Sequence, residues 1–153
     1  MGYTRIEEKE GLPYGYTEYL ESGIKTECKR VREFFFSDAY INWHGTNEHF
    51  TVEEYIRANC EYPREWGGEI QRIEKIGDIF IVVVHVYTCD RSSSFHVVPF
   101  MQVRDSKILS LDEYWGDNGA VPQWRLEQQI GADDLQYSLW GIIKKQGKSE
   151  ALN

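Results

Sequence analysis

Apolar residues recur at three- and four-residue steps through Tyr16, Tyr19, Leu20, Ile24, Cys28, Val31, Phe34 and Phe35, which predicts helix over about 17–36, with Gly23 placed to divide it in two. Ala39 to His44 reads as a short strand closed by Gly45. Thr51-Val-Glu-Glu54 opens a second helix with a capping box, Thr51 as N-cap and Glu54 three residues on, and that helix ends near Tyr62, before Pro63. After a loop carrying Trp66, Gly67 and Gly68, the period changes to two. Four strands are predicted at about 69–76, 79–88, 94–104 and 107–115, joined by Gly77-Asp78, the Cys89–Ser93 segment and Asp105-Ser106. Residues 1–15 read as an arm marked by Gly11, Pro13 and Gly15. Residues 117–153 read as an extension with a weak helical pattern at Asp133–Lys145. Helix, strand, helix and then an antiparallel meander describe an α+β fold with helices packed on one face of a sheet.

The strand Ile79-Phe-Ile-Val-Val-Val-His-Val-Tyr87 is apolar on both faces. In an antiparallel sheet both faces must then be covered; the helices cover one, and a second copy of the chain is expected on the other. The last strand alternates instead: Leu109, Leu111, Glu113 and Trp115 share one face, Ile108, Ser110, Asp112 and Tyr114 the other. A carboxylate between Leu111 and Trp115 on an apolar face is costly unless it meets a partner, a ligand or water. Glu113 is therefore the first candidate for chemistry, and a solvated or Arg-paired strand-end carboxylate is the plain alternative.

Composition narrows the classes. A length of 153 residues with 41% hydrophobic and 14% aromatic content fits one packed domain, and five Trp with ten Tyr suit a lined pocket as well as a core. A net charge of −8 argues against nucleic acid or an anionic membrane surface as partner. Cys28, Cys60 and Cys89 are odd in number and lack paired spacing, so no disulfide framework is expected and a reducing cytoplasm is favoured. The first residues have no apolar stretch of signal-peptide type, and the longest apolar run is strand-length.

Several segments in order resemble the nuclear transport factor 2-like superfamily, and within it SnoaL-like proteins and ketosteroid isomerase. They are Phe35/Phe36-Ser-Asp38 leading into Tyr40-Ile-Asn-Trp-His-Gly45, the Thr51-Val-Glu-Glu-Tyr-Ile helix, Gly77-Asp78 before an apolar strand, and Asp105-Ser-Lys-Ile ending in Glu113-Tyr-Trp. The similarity spans roughly residues 16–116. The resemblance implies a cone-shaped barrel of N-terminal helices on a curved, mainly antiparallel sheet, a pocket between them, and dimers through the outer sheet face. It does not imply one function, because the fold hosts isomerases, dehydratases, cyclases, hydrolases and plain binders. Where ketosteroid isomerase carries its first-strand catalytic carboxylate, this chain has Trp43 or His44; where it has its second acidic group, this chain has Pro99 or Phe100. Its helix Tyr corresponds to Tyr19.

Turn lengths suggest a register. A symmetric Asp90–Ser93 turn sets residue 85 opposite 98 and 87 opposite 96; a two-residue Asp105-Ser106 turn sets 98 opposite 113 and 96 opposite 115. His85, Val98 and Glu113 then form one row, and Tyr87, His96 and Trp115 the next. The resemblance places the face of Leu111, Glu113 and Trp115 in the pocket. Phe80, Val82, Val84 and Val86 with Val97, Pro99, Met101 and Val103 would form the outer, dimerising face. A pocket of Tyr19, Trp43, Tyr87, His96, Val98, Leu111 and Trp115 is thus expected around catalytic candidates His85, Glu113 and His44. A His beside a carboxylate can act as general base or acid without a cofactor. His85, His96 and Glu113 are N and O donors on adjacent strands, but no metal-ligand spacing occurs and neither metal nor cofactor is expected. An acid–base enzyme on a small apolar or aromatic substrate, a non-catalytic binder of such a molecule, and a dimerisation module with a plugged cavity all remain open.

Overall fold

The computed structural model describes residues 10–22 and 24–132. The expected helix at Asp133–Lys145, and most of the N-terminal arm, lie outside them. The long helical pattern is split into α1 (Tyr16–Ser22) and α2 (Ile24–Val31), followed by a 3-10 turn at Arg32–Phe34. Strand β1 (Phe35–Trp43) starts earlier than its hydrophobic pattern suggests. β2 (Glu48–Thr51), absent from the sequence reading, is a four-residue strand held to β1 with His49 opposite Asn42. Helix α3 (Val52–Cys60) has the expected capping box: Thr51 Oγ1 accepts from the Glu54 N–H, and the Glu54 carboxylate accepts from the Thr51 N–H. The meander follows as β3 (Trp66–Ile76), β4 (Ile79–Thr88), β5 (Ser94–Arg104) and β6 (Lys107–Asp117), and a short helix α4 (Gln123–Glu127) comes last.

The six strands form one curved, open sheet in the order β2-β1-β6-β5-β4-β3, antiparallel except for the parallel β1–β6 pair. The fold is therefore the α+β cone expected from the sequence. Helices α1 and α3 close its concave face with Tyr16, Tyr19 and Leu20, and with Val52, Tyr55 and Ile56, all buried. Segment 66–68, expected as a loop, is the start of β3. Gly68 is needed there because a Cβ at this position would collide with the Leu20 carbonyl, so α1 rests directly on the strand.

The register differs from the expected one at both hairpins, and the difference that changes faces lies on β6. The Asp105-Ser106 turn does have two residues, both at positive φ, and Arg104 faces Lys107 and Val103 faces Ile108. Gln102, however, faces Ser110, so Leu109 is an extra residue on β6. This bulge moves everything beyond it by one position, and Glu113 faces Pro99 rather than Val98. On β4 and β5, His85 faces His96 rather than Val98. Phe80, Val82, Val84, Val86, Val97, Pro99, Met101 and Val103, expected on a dimerising outer face, therefore lie on the concave face with Leu111 and Glu113 and are buried as the core.

A second correction concerns cysteine. Cys28 on α2 and Cys60 at the end of α3 form a disulfide with Cα atoms 6.0 Å apart, while Cys89 is free and exposed. Neither the odd count nor the spacing exposes this pair, which depends on α2 packing against α3.

Candidate functional site

At one end of the cone, the C-terminal ends of β1, β4 and β6 meet the N-terminal ends of β3 and β5 and the last turn of α3. A pocket of about 360 Å³ opens there. Its walls are Trp43 from β1, Trp66 from β3, Phe95 from β5 and Trp115 from β6, with Val86, Ala58, Asn59 and Tyr62 filling the sides and Asp117 on the rim. Neighbouring rings meet at steep angles: Trp43 and Trp115 have centroids 6.2 Å apart at 67°, Phe95 and Trp115 6.2 Å apart at 79°. An apolar cavity of this size with few polar groups is the usual form of a small-molecule site.

Behind Trp43 and Trp115 lies Glu113, 4% exposed. Its Oε1 accepts from the Tyr55 hydroxyl at 3.0 Å and its Oε2 from the Trp115 indole N–H at 2.9 Å. Burial raises the carboxyl from its ordinary value to about 7; the donors Trp115 and Tyr55, with Trp43 close by, offset part of that rise. Tyr16, Tyr19 and Tyr55 surround it, and burial first, then the Glu113 charge, pushes each phenol upward, so all three remain protonated. The Tyr16 hydroxyl and the Trp43 indole N–H are buried without a hydrogen-bond partner among the described residues. A carboxyl that titrates near neutrality among phenols and indoles can hold or release a proton at physiological pH. It does not itself line the pocket: two indoles touch the pocket on one side and the carboxyl on the other.

The histidines lie elsewhere. His85, His96, Tyr87 and Val98 share the convex face of the sheet, opposite to Glu113 and Trp115, because the Leu109 bulge reverses the parity on which the expected rows depended. His85 and Glu113 are thus not brought together. His85 Nε2 is joined to Ser94 Oγ at 2.7 Å, Asn118 Nδ2 donates to the same oxygen at 2.6 Å, and His96 Nδ1 lies 2.5 Å from Asn118 Oδ1. The His85 pKa is lowered, first by burial and then by His96 and Arg91, against the opposing pull of Glu69. His44 is also on the convex side, where Nε2 lies 2.8 Å from Asp112 Oδ1 and the ring stacks on Tyr114 at 4.5 Å. With His49 paired to Asn42, all four histidines belong to the convex face. Tyr19 and Leu111 are core residues: Tyr19 packs on Trp66 at 5.9 Å, and Leu111 is fully buried. Among the described residues no group of three His, Cys, Asp or Glu side chains is placed to hold a metal ion.

Tyr55, Trp66, Phe95, Tyr62 and Asp117 were not anticipated. The α3 periodicity carries a signal for the first: Val52, Tyr55, Ile56 and Asn59 fall on one helix face, which points Tyr55 and Asn59 inward. In the sequence Trp66 is masked by its glycine neighbours, and Phe95 by the extra residue on β6.

No protein-family model and no curated relative matches the chain. Solved structures do. A Kribbella flavida protein provisionally named a ketosteroid isomerase matches with a TM-score of 0.68 at 20% identity, over 86% of this chain and 94% of that one. IdmH from Streptomyces antibioticus, provisionally named a polyketide cyclase, matches with a TM-score of 0.55 at 15% identity, over 66% and 86%. An LEH-like epoxide hydrolase of M. tuberculosis matches with a TM-score of 0.55 at 14% identity, over 72% and 81%. The chain has the nuclear transport factor 2-like fold. At these identities the likeness concerns the fold and assigns no activity. No helix among the described residues is long and apolar enough to cross a membrane.

Proposed function

We propose that this protein is a small-molecule binding protein whose site is the aromatic pocket at the open end of the cone, with Glu113 as a buried polar group beneath it. The observation that carries this reading is the pocket itself: Trp43, Trp66, Phe95 and Trp115 enclose an apolar volume that no side chain of the described residues fills. This separates binding from the plugged cavity of a pure dimerisation module. Binding without turnover takes precedence over acid–base catalysis because neither His85 nor His44 reaches the pocket, and Glu113 stands behind two indoles. One observation favours the enzymatic reading as the second choice: the Glu113 carboxyl sits near pH 7, where a general acid or base is most effective.

The convex face leaves Phe100, Tyr114, Tyr40 and Ile79 partly exposed across β5, β6, β1 and β4. A second copy of the chain pairing over that stripe is the assembly that goes with this reading.

Ligand hunting on the full-length protein tests the proposal. Small aromatic and alicyclic compounds carrying one or two polar groups should include members that raise the melting temperature and shift tryptophan emission. Both effects should be lost in Trp115→Leu. A broad library in which no compound acts through Trp115 would contradict the binding assignment. If a hit is turned over and Glu113→Gln lowers that rate by ~10²-fold or more, the enzymatic reading replaces the binding one.

A further inference from the structure

The rings and the charges around the pocket point to a ligand class, and the inference rests on reading this pocket as the binding site. We infer that the pocket takes a small organic cation, an alkylated ammonium group seated among Trp43, Trp66, Phe95 and Trp115 with Asp117 at its edge.

Three features favour a cation over a neutral apolar molecule of the same shape. Four rings line the cavity as an aromatic box, and within it Trp43 with Trp115, and Trp115 with Phe95, meet at steep angles rather than as a stacked block. An alkylated ammonium, weakly hydrated and attracted by the negative faces of indole rings, is the guest such a box accepts best. Every ionisable lining residue with a formal charge at neutral pH is acidic: Asp117 is on the rim, and no Lys, Arg or His lines the cavity. Finally, the Trp115 N–H is already committed to the Glu113 carboxylate at 2.9 Å. That hydrogen bond withholds a donor from any neutral polar ligand. It also draws electron density onto the indole, which strengthens the ring face as a partner for positive charge. Glu113 thereby acts as a positioning residue, holding the Trp115 plane. The chain's net charge of −8 favours approach of a cation over an anion.

A comparison of isosteres tests this. Choline and its uncharged counterpart, 3,3-dimethylbutan-1-ol, are titrated against the full-length protein at constant ionic strength, with binding read from tryptophan emission and calorimetry. Choline should bind at least ~10-fold more tightly than the alcohol, a ratio of the size expected for desolvated cation–π contact. Asp117→Asn, an isosteric change at an exposed position, should reduce that ratio. Trp115→Leu should abolish binding of both. Equal or tighter binding of the alcohol, lost in Trp115→Leu, would overturn the cation assignment and leave the pocket reading intact. Binding of neither compound would also overturn it, and the library screen described above then decides whether the pocket reading falls as well.

Discussion

Between about pH 4.5 and about pH 7.5, the wild-type protein should lose about 3 kcal/mol of stability relative to a Glu113→Gln variant, at about 1.36 kcal/mol per unit of pKa difference. The sign follows from the raised carboxyl. At low pH Glu113 is protonated in both states; as pH rises past 4.5 the unfolded chain releases its proton, while the folded protein keeps it until about 7. Over that window the unfolded state binds fewer protons, so rising pH favours unfolding, and above about 7 the effect is complete. Glu113 is almost fully buried, so solvent does little to screen the penalty. His85 acts in the opposite direction: its lowered pKa means that the unfolded state takes up the proton first as pH falls through 6.5, and stability drops toward acid. Asp90, held near 2 by the Ser92 N–H and hydroxyl, contributes stability that is lost only as pH falls below its ordinary value of 3.8. Both terms cancel in the difference between wild type and Glu113→Gln. Urea unfolding at a series of pH values measures it, and parallel stability curves for the two proteins would show that the carboxyl is not the buried, near-neutral group described here.

Reducing the Cys28–Cys60 disulfide should lower stability by about 4 kcal/mol, the loop-closure effect expected for a bridge across 32 residues. The bridge closes a loop that contains all of β1 and β2 and most of α3, so its loss frees the unfolded chain more than a short cross-link would. It also bears on the pocket, because Cys60 follows directly on Ala58 and Asn59, which line it, and precedes Tyr62. The measurement is urea unfolding with and without reductant in a Cys89→Ser background, which removes the exposed free thiol as an exchange partner. The reduced protein should match the Cys28→Ser, Cys60→Ser double variant. An unfolding midpoint insensitive to reductant would contradict the bridge.

The architecture was legible because its signals are local. The two-residue turns at 77–78 and 105–106, the capping box of Thr51 and Glu54 and the unbroken β4 run each define an element from a few adjacent residues. The site was less legible because it depends on long-range register. A strand with period two is reversed by one extra residue, and Leu109 supplies that residue after a turn of the expected length. His85 and His96 do lie side by side, rings 5.1 Å apart, but on the face away from Glu113. The cost of a carboxylate between Leu111 and Trp115 was readable from alternation alone, whereas its partner Tyr55 comes from a helix 58 residues earlier. Gly67 and Gly68 suggested a loop because composition cannot distinguish a flexible glycine from one that admits the Leu20 carbonyl. The disulfide escaped for the same reason: it joins residues that become neighbours only when α2 and α3 pack.

Trp115 and Glu113 form one coupled unit, a pocket wall whose indole N–H is held by a carboxyl that titrates near neutrality. The indole N–H resonance of Trp115, assigned by its loss in Trp115→Phe and followed by heteronuclear NMR from about pH 5 to about pH 8.5, reports on that unit directly. The predicted result is a titration of this resonance with a midpoint near 7, absent in Glu113→Gln, while Trp124, exposed on α4, stays unchanged. A midpoint in the ordinary carboxylate range, or a Trp115 resonance that ignores pH throughout, would contradict it.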